Sequence, residues 1–284
     1  MGSYLNPGSK GFEESLNSEI YIDKTGLIDK TNALVNTRQK YICISRPRRF
    51  GKSMAADMLT AYYDRSVDTA SLFDALNIGQ TENYKKHLNQ YDVLKINMQG
   101  FLSSTHSMDE MLEKFSKFLR YDLLDEYTQV RFRDEDDLVQ VMKDVYASTG
   151  RPFIILVDEW DCLFREYKQD KEAQKKYLDF LRAWLKDQEY VALAYMTGIL
   201  PIKKYGSHSA LNMFSEYSMV NPREMAEFFG FTEDEVKMLC AKYKRNFEEA
   251  QAWYDGYELM TMEGEYPKVY AMYSPKSVVD AMLS

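Results

Sequence analysis

The sequence predicts an α/β fold: a parallel sheet flanked by helices, followed by a small and mostly helical region. Three observations lead there. Short apolar runs of strand length recur between Tyr41 and Val220, longer stretches with helical apolar spacing separate most of them, and after about Pro222 only short helical patterns remain. Strands that alternate with helices are joined by crossovers, which make neighbours parallel and cover both faces of the sheet.

Taken in order, the first strand is Tyr41 to Ser45, and the helical pattern Lys52 to Arg65 follows it. A second strand, Val93 to Asn97, precedes a helix over Ser107 to Glu126. There Met108, Met111, Leu112, Phe115, Phe118, Leu119 and Leu123 share one face, and Ser107 with Glu110 has the spacing of a capping box. A helix over Asp136 to Ala147 leads to the strand Phe153 to Val157, and one over Glu172 to Lys186 leads to Val191 to Met196. A fifth, weaker strand is expected at Tyr217 to Val220. Beyond it, Glu224 to Phe229, Glu233 to Lys244, Phe247 to Tyr254 and Pro275 to Leu283 read as short helices. The expected organisation is a core over residues 1–221 and a helical module over 222–284. The last helical pattern runs to the terminus with no polar tail, which leaves open that the chain is a piece of a longer protein.

Composition narrows the class. The chain has 284 residues, 45% hydrophobic and 28% charged, as in a soluble protein with a sizeable core. No apolar run reaches the roughly 18 residues a membrane span requires, and the N-terminus lacks the basic-then-apolar pattern of a secretory signal. The three cysteines, Cys43, Cys162 and Cys240, have no metal-ligand or redox spacing, and the expectation is a reducing cytoplasm. A net charge of −8 argues against a surface that grips nucleic acid throughout, and leaves a local basic patch open. His87, His106 and His208 are isolated and read as structural.

The chemistry concentrates in two places. After the first strand comes Arg46-Pro47-Arg48-Arg49-Phe50-Gly51-Lys52-Ser53-Met54, opening into a helix. Strand, tight loop, Gly-Lys-Ser and helix form the layout of a phosphate-cradling loop. Backbone N–H groups and the helix N-terminus attract anionic oxygens there. Lys52 is expected to reach the β- and γ-phosphates, and the Ser53 hydroxyl to ligate Mg²⁺. The pattern asks for glycine where this chain has Arg46, with Pro47 as a candidate preset turn in its place. The alternative is a basic strand-to-helix loop with an unrelated Gly-Lys-Ser. Arg48 and Arg49, beside the loop, have three readings: nucleotide phosphates, a partner subunit or DNA.

The second place is Phe153 to Glu159, an apolar strand that ends in two carboxylates. In a phosphoryl-transfer site Asp158 holds the metal and Glu159 polarises the attacking water. A strand that ends in an ordinary charged turn is the alternative. Each motif predicts the other, and together they point to a P-loop NTPase. An additional strand and an acid directly after the metal-binding Asp mark the division that contains AAA-type ATPases. Thr197, at the end of the next strand, either senses the γ-phosphate or is a turn residue before Gly198. Asp161 either braces the site or is a solvated turn acid, and Lys203 with Lys204 either act near the γ-phosphate or form a solvated turn. Tyr205-Gly206-Ser207 lacks the setting of a nucleophile elbow.

The run Ser45 to Ser53 resembles the phosphate loop of the AAA-ATPase-like proteins, which carry Arg-Pro-Arg-Arg-Phe-Gly-Lys-Ser in place of the standard first glycine. Further likeness lies in Tyr21-Ile22-Asp23-Lys24-Thr25, Val157 to Asp161, Thr197 to Leu200, Phe228 to Val236, Trp253 to Tyr257 and Tyr273 to Val278. The resemblance implies an ATP-binding core with Mg²⁺, followed by a helical module of which winged-helix is one form. It makes Arg46 a family habit. By analogy Tyr21 and Ile22 line the adenine site, although a helix start capped by Asp23 explains the same segment. Many relatives continue into a nuclease-like domain of the PD-(D/E)xK type, and no such segment is found here. The partners left open are a second copy of the chain, a nuclease-like protein in trans, and nucleic acid.

Three functions compete at this point. One is an ATPase whose nucleotide state switches an attached or partner effector. Another is a nucleotide-binding scaffold that does not hydrolyse. The third, a phosphotransferase on a small molecule, needs a second substrate pocket that the sequence does not reveal.

Overall fold

Five strands form one all-parallel sheet in the order β2-β3-β4-β1-β5: β1 is Tyr41–Ser45, β2 Asp92–Asn97, β3 Phe153–Asp158, β4 Val191–Gly198 and β5 Ser215–Tyr217. The structure is a computed structural model and describes residues 2–202, 211–253, 256–263 and 266–284. Lys203, Lys204, Tyr205-Gly206-Ser207 and His208 lie outside the described residues, as do Tyr254 and Asp255 of the Trp253–Tyr257 motif. The strand that falls between the two motifs in sequence, β2, takes the outer edge. It is β4, later in the chain, that inserts between the phosphate-loop strand β1 and the acidic strand β3. All carboxyl ends share one edge, with Ser45 opposite Gly198 and Asn97 opposite Asp158.

Strands β1, β3 and β4 are buried along their whole length, which is why they read as continuous apolar runs instead of alternating ones. Alternation still decides the face. Tyr41, Cys43, Ile155 and Val157 join a core under helices Met108–Glu126, Leu138–Thr149 and Lys171–Leu185. Ile42, Ile44, Ile154 and Leu156 join the opposite core under helices Gly26–Asn32 and Lys52–Tyr63. Burying each such side chain contributes about 1.5–3 kcal/mol.

Helix ends follow their caps. Ser107 accepts from Glu110 N at 3.1 Å, while the Glu110 carboxylate accepts from His106 N at 2.8 Å, so only half of the expected capping box forms. Asp137 and Asp170 cap the next two long helices and set their first residues at Leu138 and Lys171. Of the expected apolar face over Met108 to Leu123, Phe118 is left exposed.

Two expectations need correction. The fifth strand ends at Tyr217, and Val220 is exposed, because Ser218 N donates to Asn221 O in a turn ahead of Pro222. The C-terminal region is less helical than expected: β7 (Tyr257–Glu263) and β8 (Tyr266–Tyr273) form an antiparallel hairpin, and β8 also pairs with the short β6 (Phe231–Thr232). The region therefore runs 3₁₀ turn Arg223–Phe228, β6, helices Glu233–Tyr243 and Phe247–Trp253, hairpin, and helix Pro275–Leu283, with sheet order β6-β8-β7. That is the element order of a winged helix with one added helix. Among the described residues no helix is long and apolar enough to cross a membrane.

Candidate functional site

The loop from Arg46 to Gly51 leaves β1 at the carboxyl edge of the sheet, tied there by Arg46 N donating to Gly198 O at 3.1 Å. Arg49 and Gly51 both have positive φ, 69° and 79°. Gly51 is the N-cap of helix Lys52–Tyr63, and glycine adopts that conformation without the cost another residue incurs. The Lys52 side chain is buried and curls back into the loop, its ammonium donating to Arg46 O at 3.0 Å and Pro47 O at 2.8 Å. Burial lowers its pKa, and the carboxylates of Glu159, Asp158 and Asp161 oppose that shift.

Asp158, the last residue of β3, faces the loop. Ser53 Oγ donates to Asp158 Oδ2 at 2.6 Å, the Thr197 hydroxyl donates to Oδ1, and Glu159 N also donates to Oδ1 at 3.0 Å. The donor set fits a magnesium ion: a hydroxyl and a carboxylate oxygen 2.6 Å apart, close to the roughly 2.9 Å between adjacent oxygens of a Mg²⁺ octahedron. Among the described residues there is no group of three or more His, Cys, Asp or Glu that could hold a metal alone. That is ordinary for a magnesium site completed by phosphate oxygens and water.

Glu159 turns the chain at φ 55°, an uncommon value for a non-glycine residue, and pairs with Arg165 Nη2. Asp161 is fully buried, and its Oδ2 accepts from Ile199 N at 2.9 Å and Leu200 N at 2.7 Å. It thus braces the acidic strand against the end of β4, and the solvated-turn reading falls. Gly198 allows this closeness, since a Cβ there would stand 2.7 Å from Trp160 Nε1.

A cavity of about 590 Å³ opens beside the loop. Arg48, Arg49, Lys52, Ser53 and Glu159 line it together with Lys24, Lys276 and Asp280, and Ile20, Ile22, Met54, Met58, Phe228 and Val279 add apolar wall. Tyr21 and Gly51 also line it. Asp23 serves the turn, accepting from Thr25 N at 2.8 Å and Asn77 N at 2.7 Å, but the N-cap of helix Gly26–Asn32 is Thr25, so Asp23 is not the cap of that helix. Asp158 and Thr197 stand behind Ser53 and not on the cavity wall, and the Thr197 hydroxyl is committed to Asp158. His87 bonds Tyr91 OH at 2.7 Å, and the three thiols are buried and free, with burial pushing Cys162 up to about 12.

Sequence reasoning placed the C-terminal module beside the nucleotide site but singled out none of its residues for the cavity. Phe228, Phe231, Pro275, Lys276 and Val279 come to the cavity from across the chain. The quoted Tyr273-to-Val278 run was a signal for it, but nothing local says where that helix packs. Phe50 also behaves differently from its neighbours. Although it borders the cavity, its ring is only 2% exposed, packed with Ala226, Leu259 and Met272 and edge-on to Tyr257 at 5.3 Å. Arg46 turns the same way, fully buried, donating to Tyr217 O at 2.7 Å and lying 5.6 Å over the Phe229 ring. Burial without a carboxylate pushes this guanidinium down to about 10. Two residues of the loop thus anchor it to the C-terminal region. Phe50→Ala is expected to remove about 3 kcal/mol, with amides of β7 and β8 losing hydrogen-exchange protection before those of β3. Uniform protection in both would show that Phe50 does not join the two parts.

Comparison with known proteins gives two matches. The family described as predicted AAA-ATPase matches residues 8–207, which is well over half of the chain. An uncharacterized protein in the vnfD 5′ region of Azotobacter chroococcum mcd 1 is 26% identical over 248 residues, covering 84% of this chain. The chain spans 45% of that relative's length.

Proposed function

This chain belongs to the predicted AAA-ATPase family, and from that premise we propose that it binds ATP with Mg²⁺ in the cavity beside the loop and hydrolyses it. The observation that carries the proposal is the meeting of Lys52, Ser53 and Glu159 on the wall of a cavity that also has apolar walls, with Asp158 hydrogen-bonded to Ser53. A triphosphate needs cations and N–H groups at one end, and a purine needs apolar walls at the other. Ile20, Tyr21, Ile22, Phe228 and Val279 offer those walls.

Each residue then has a role. Lys52 exchanges the Arg46 and Pro47 carbonyls for the β- and γ-phosphates. Ser53 and Asp158 hold Mg²⁺, which supplies Lewis-acid charge neutralisation to the phosphates when bound. Thr197 fixes the Asp158 carboxylate in orientation from the buried side. A water oxygen attacks the γ-phosphorus, its proton passes to Glu159, and the bond to the bridging oxygen of ADP breaks. Because Arg46 and Phe50 anchor the loop to the C-terminal region, nucleotide-dependent movement of the loop is felt there. This is the basis for a switch that acts on an effector in cis or in trans.

Equilibrium binding of ATP to the purified chain, with Mg²⁺ and with EDTA, tests the reading alongside phosphate release. Magnesium-dependent binding and release are expected, with GTP competing weakly. Failure to bind ATP under either condition would sink the proposal. The Glu159–Arg165 pair favours a second reading, a nucleotide-binding scaffold, because it occupies the base. Binding with no release, even at high enzyme concentration, would select that reading.

A further inference from the structure

Among the described residues Arg165 is the one cation ion-paired with the candidate base, and the phosphate chemistry outlined above gives it no task. It sits on the short helix Cys162–Glu166, immediately after the acidic strand turns back under positive φ at Glu159. Its Nη2 donates to Glu159 Oε2, and its Nε lies 3.7 Å from Asp161 Oδ1. Both side chains of the Glu159–Arg165 pair are mostly shielded, 23% and 18% exposed, so water screens the attraction less than at an open surface. Arg165 itself is not on the cavity wall, whereas Glu159 is.

These placements have a consequence for the base. A carboxylate that takes a proton from water must present a free, basic oxygen to that water. A guanidinium hydrogen-bonded to the same carboxylate occupies one of its oxygens and fixes its direction, and both effects oppose its approach to that water. We propose that Arg165 is a positioning residue that holds Glu159 in a restrained state and keeps basal ATP turnover low, so that release of this pair is the step an effector or a closed C-terminal region would control. The inference rests on the ATPase reading and adds its point of regulation.

Asp161 makes the choice of variant important. It is fully buried, and Arg165 is the cation beside it, so Arg165→Gln alone risks leaving an uncompensated buried charge. Arg165→Lys avoids this. A lysine ammonium falls near the position of the arginine Cζ, still a cation beside Asp161, but it stops one bond short of the nitrogen that engages Glu159 and lacks the planar fork. The Lys variant therefore keeps the brace and weakens the restraint.

The experiment is steady-state phosphate release by the full chain carrying Arg165→Lys or Arg165→Gln, each also combined with Glu159→Gln, with ATP affinity measured in parallel. The expected result is a rise in kcat of at least about tenfold in Arg165→Gln and a smaller rise in Arg165→Lys, with KM changed less than about twofold. In the Glu159→Gln background that gain should vanish, which a merely structural role for Arg165 would not produce. If Arg165→Gln fails to fold, the Lys variant decides alone. An unchanged or lower kcat in a variant that still binds ATP like the parent overturns the inference while leaving the ATPase reading intact. Absence of ATP binding by the unsubstituted chain overturns both.

Discussion

Lys52→Ala is expected to weaken ATP binding by about two to three orders of magnitude, the equivalent of roughly 3–4 kcal/mol. The lysine is buried, and burial disfavours its charge, yet three carboxylates (Asp158, Glu159 and Asp161) and two loop carbonyls surround it. A cation held ready in such a place has a task for which the surrounding fold alone gives no reason. Structural losses should be smaller than the binding loss, because the space the side chain vacates admits water to bond the Arg46 and Pro47 carbonyls. Calorimetric titration with ATP and Mg²⁺ measures the affinity, and a melting curve beside it separates loss of the site from loss of the fold. If the alanine variant binds within about threefold of the parent while melting normally, Lys52 does not meet the phosphates and the cavity is not the nucleotide site.

The parts of this protein that were legible in its sequence are those whose role is local. Strands β1, β3 and β4 could be read from their apolar runs because both faces are buried. The Gly-Lys-Ser loop could be read because its backbone geometry needs those residues in that order. β5 was placed too late because it is a three-residue edge strand whose signal is shared with the turn that follows. The hairpin was missed for a different reason. Met260, Met262 and Glu258 are helix formers, and the alternation they share with Leu259 and Thr261 becomes decisive only once Leu259 and Met272 are buried on one face.

Arg46 shows the limit most clearly. The sequence marks it as a departure from glycine and offers Pro47 as compensation. In the fold its side chain passes to Tyr217 O and over Phe229, while Arg48 and Arg49 line the cavity. The basic run is thus divided between two duties, ligand-facing and anchoring, and no spacing rule distinguishes them. Arg165 was invisible on the same grounds. Its relation to Glu159 depends on the reversal of the chain at a positive-φ residue, and only coordinates show that.

Glu159→Gln should leave ATP affinity within about twofold of the parent and lower phosphate release at least about a hundredfold. The amide has the size of the carboxylate and tolerates the same backbone at φ 55°. Its carbonyl oxygen can still accept from Arg165, so the turn after β3 keeps its shape. What is lost is the ability to take a proton from water, and among the described residues neither neighbouring carboxylate is placed to replace it. Asp158 accepts from Ser53, Thr197 and the Glu159 amide, and Asp161 is turned to the amides of Ile199 and Leu200. A rapid-quench measurement under single-turnover conditions reads the chemical step itself, free of product release. Turnover that survives the change would remove Glu159 from the role of base and leave its pairing with Arg165 as a purely structural contact. Turnover that disappears with binding intact would leave a variant that holds ATP without consuming it, the form best suited to trapping whatever the C-terminal region engages in its ATP-bound state.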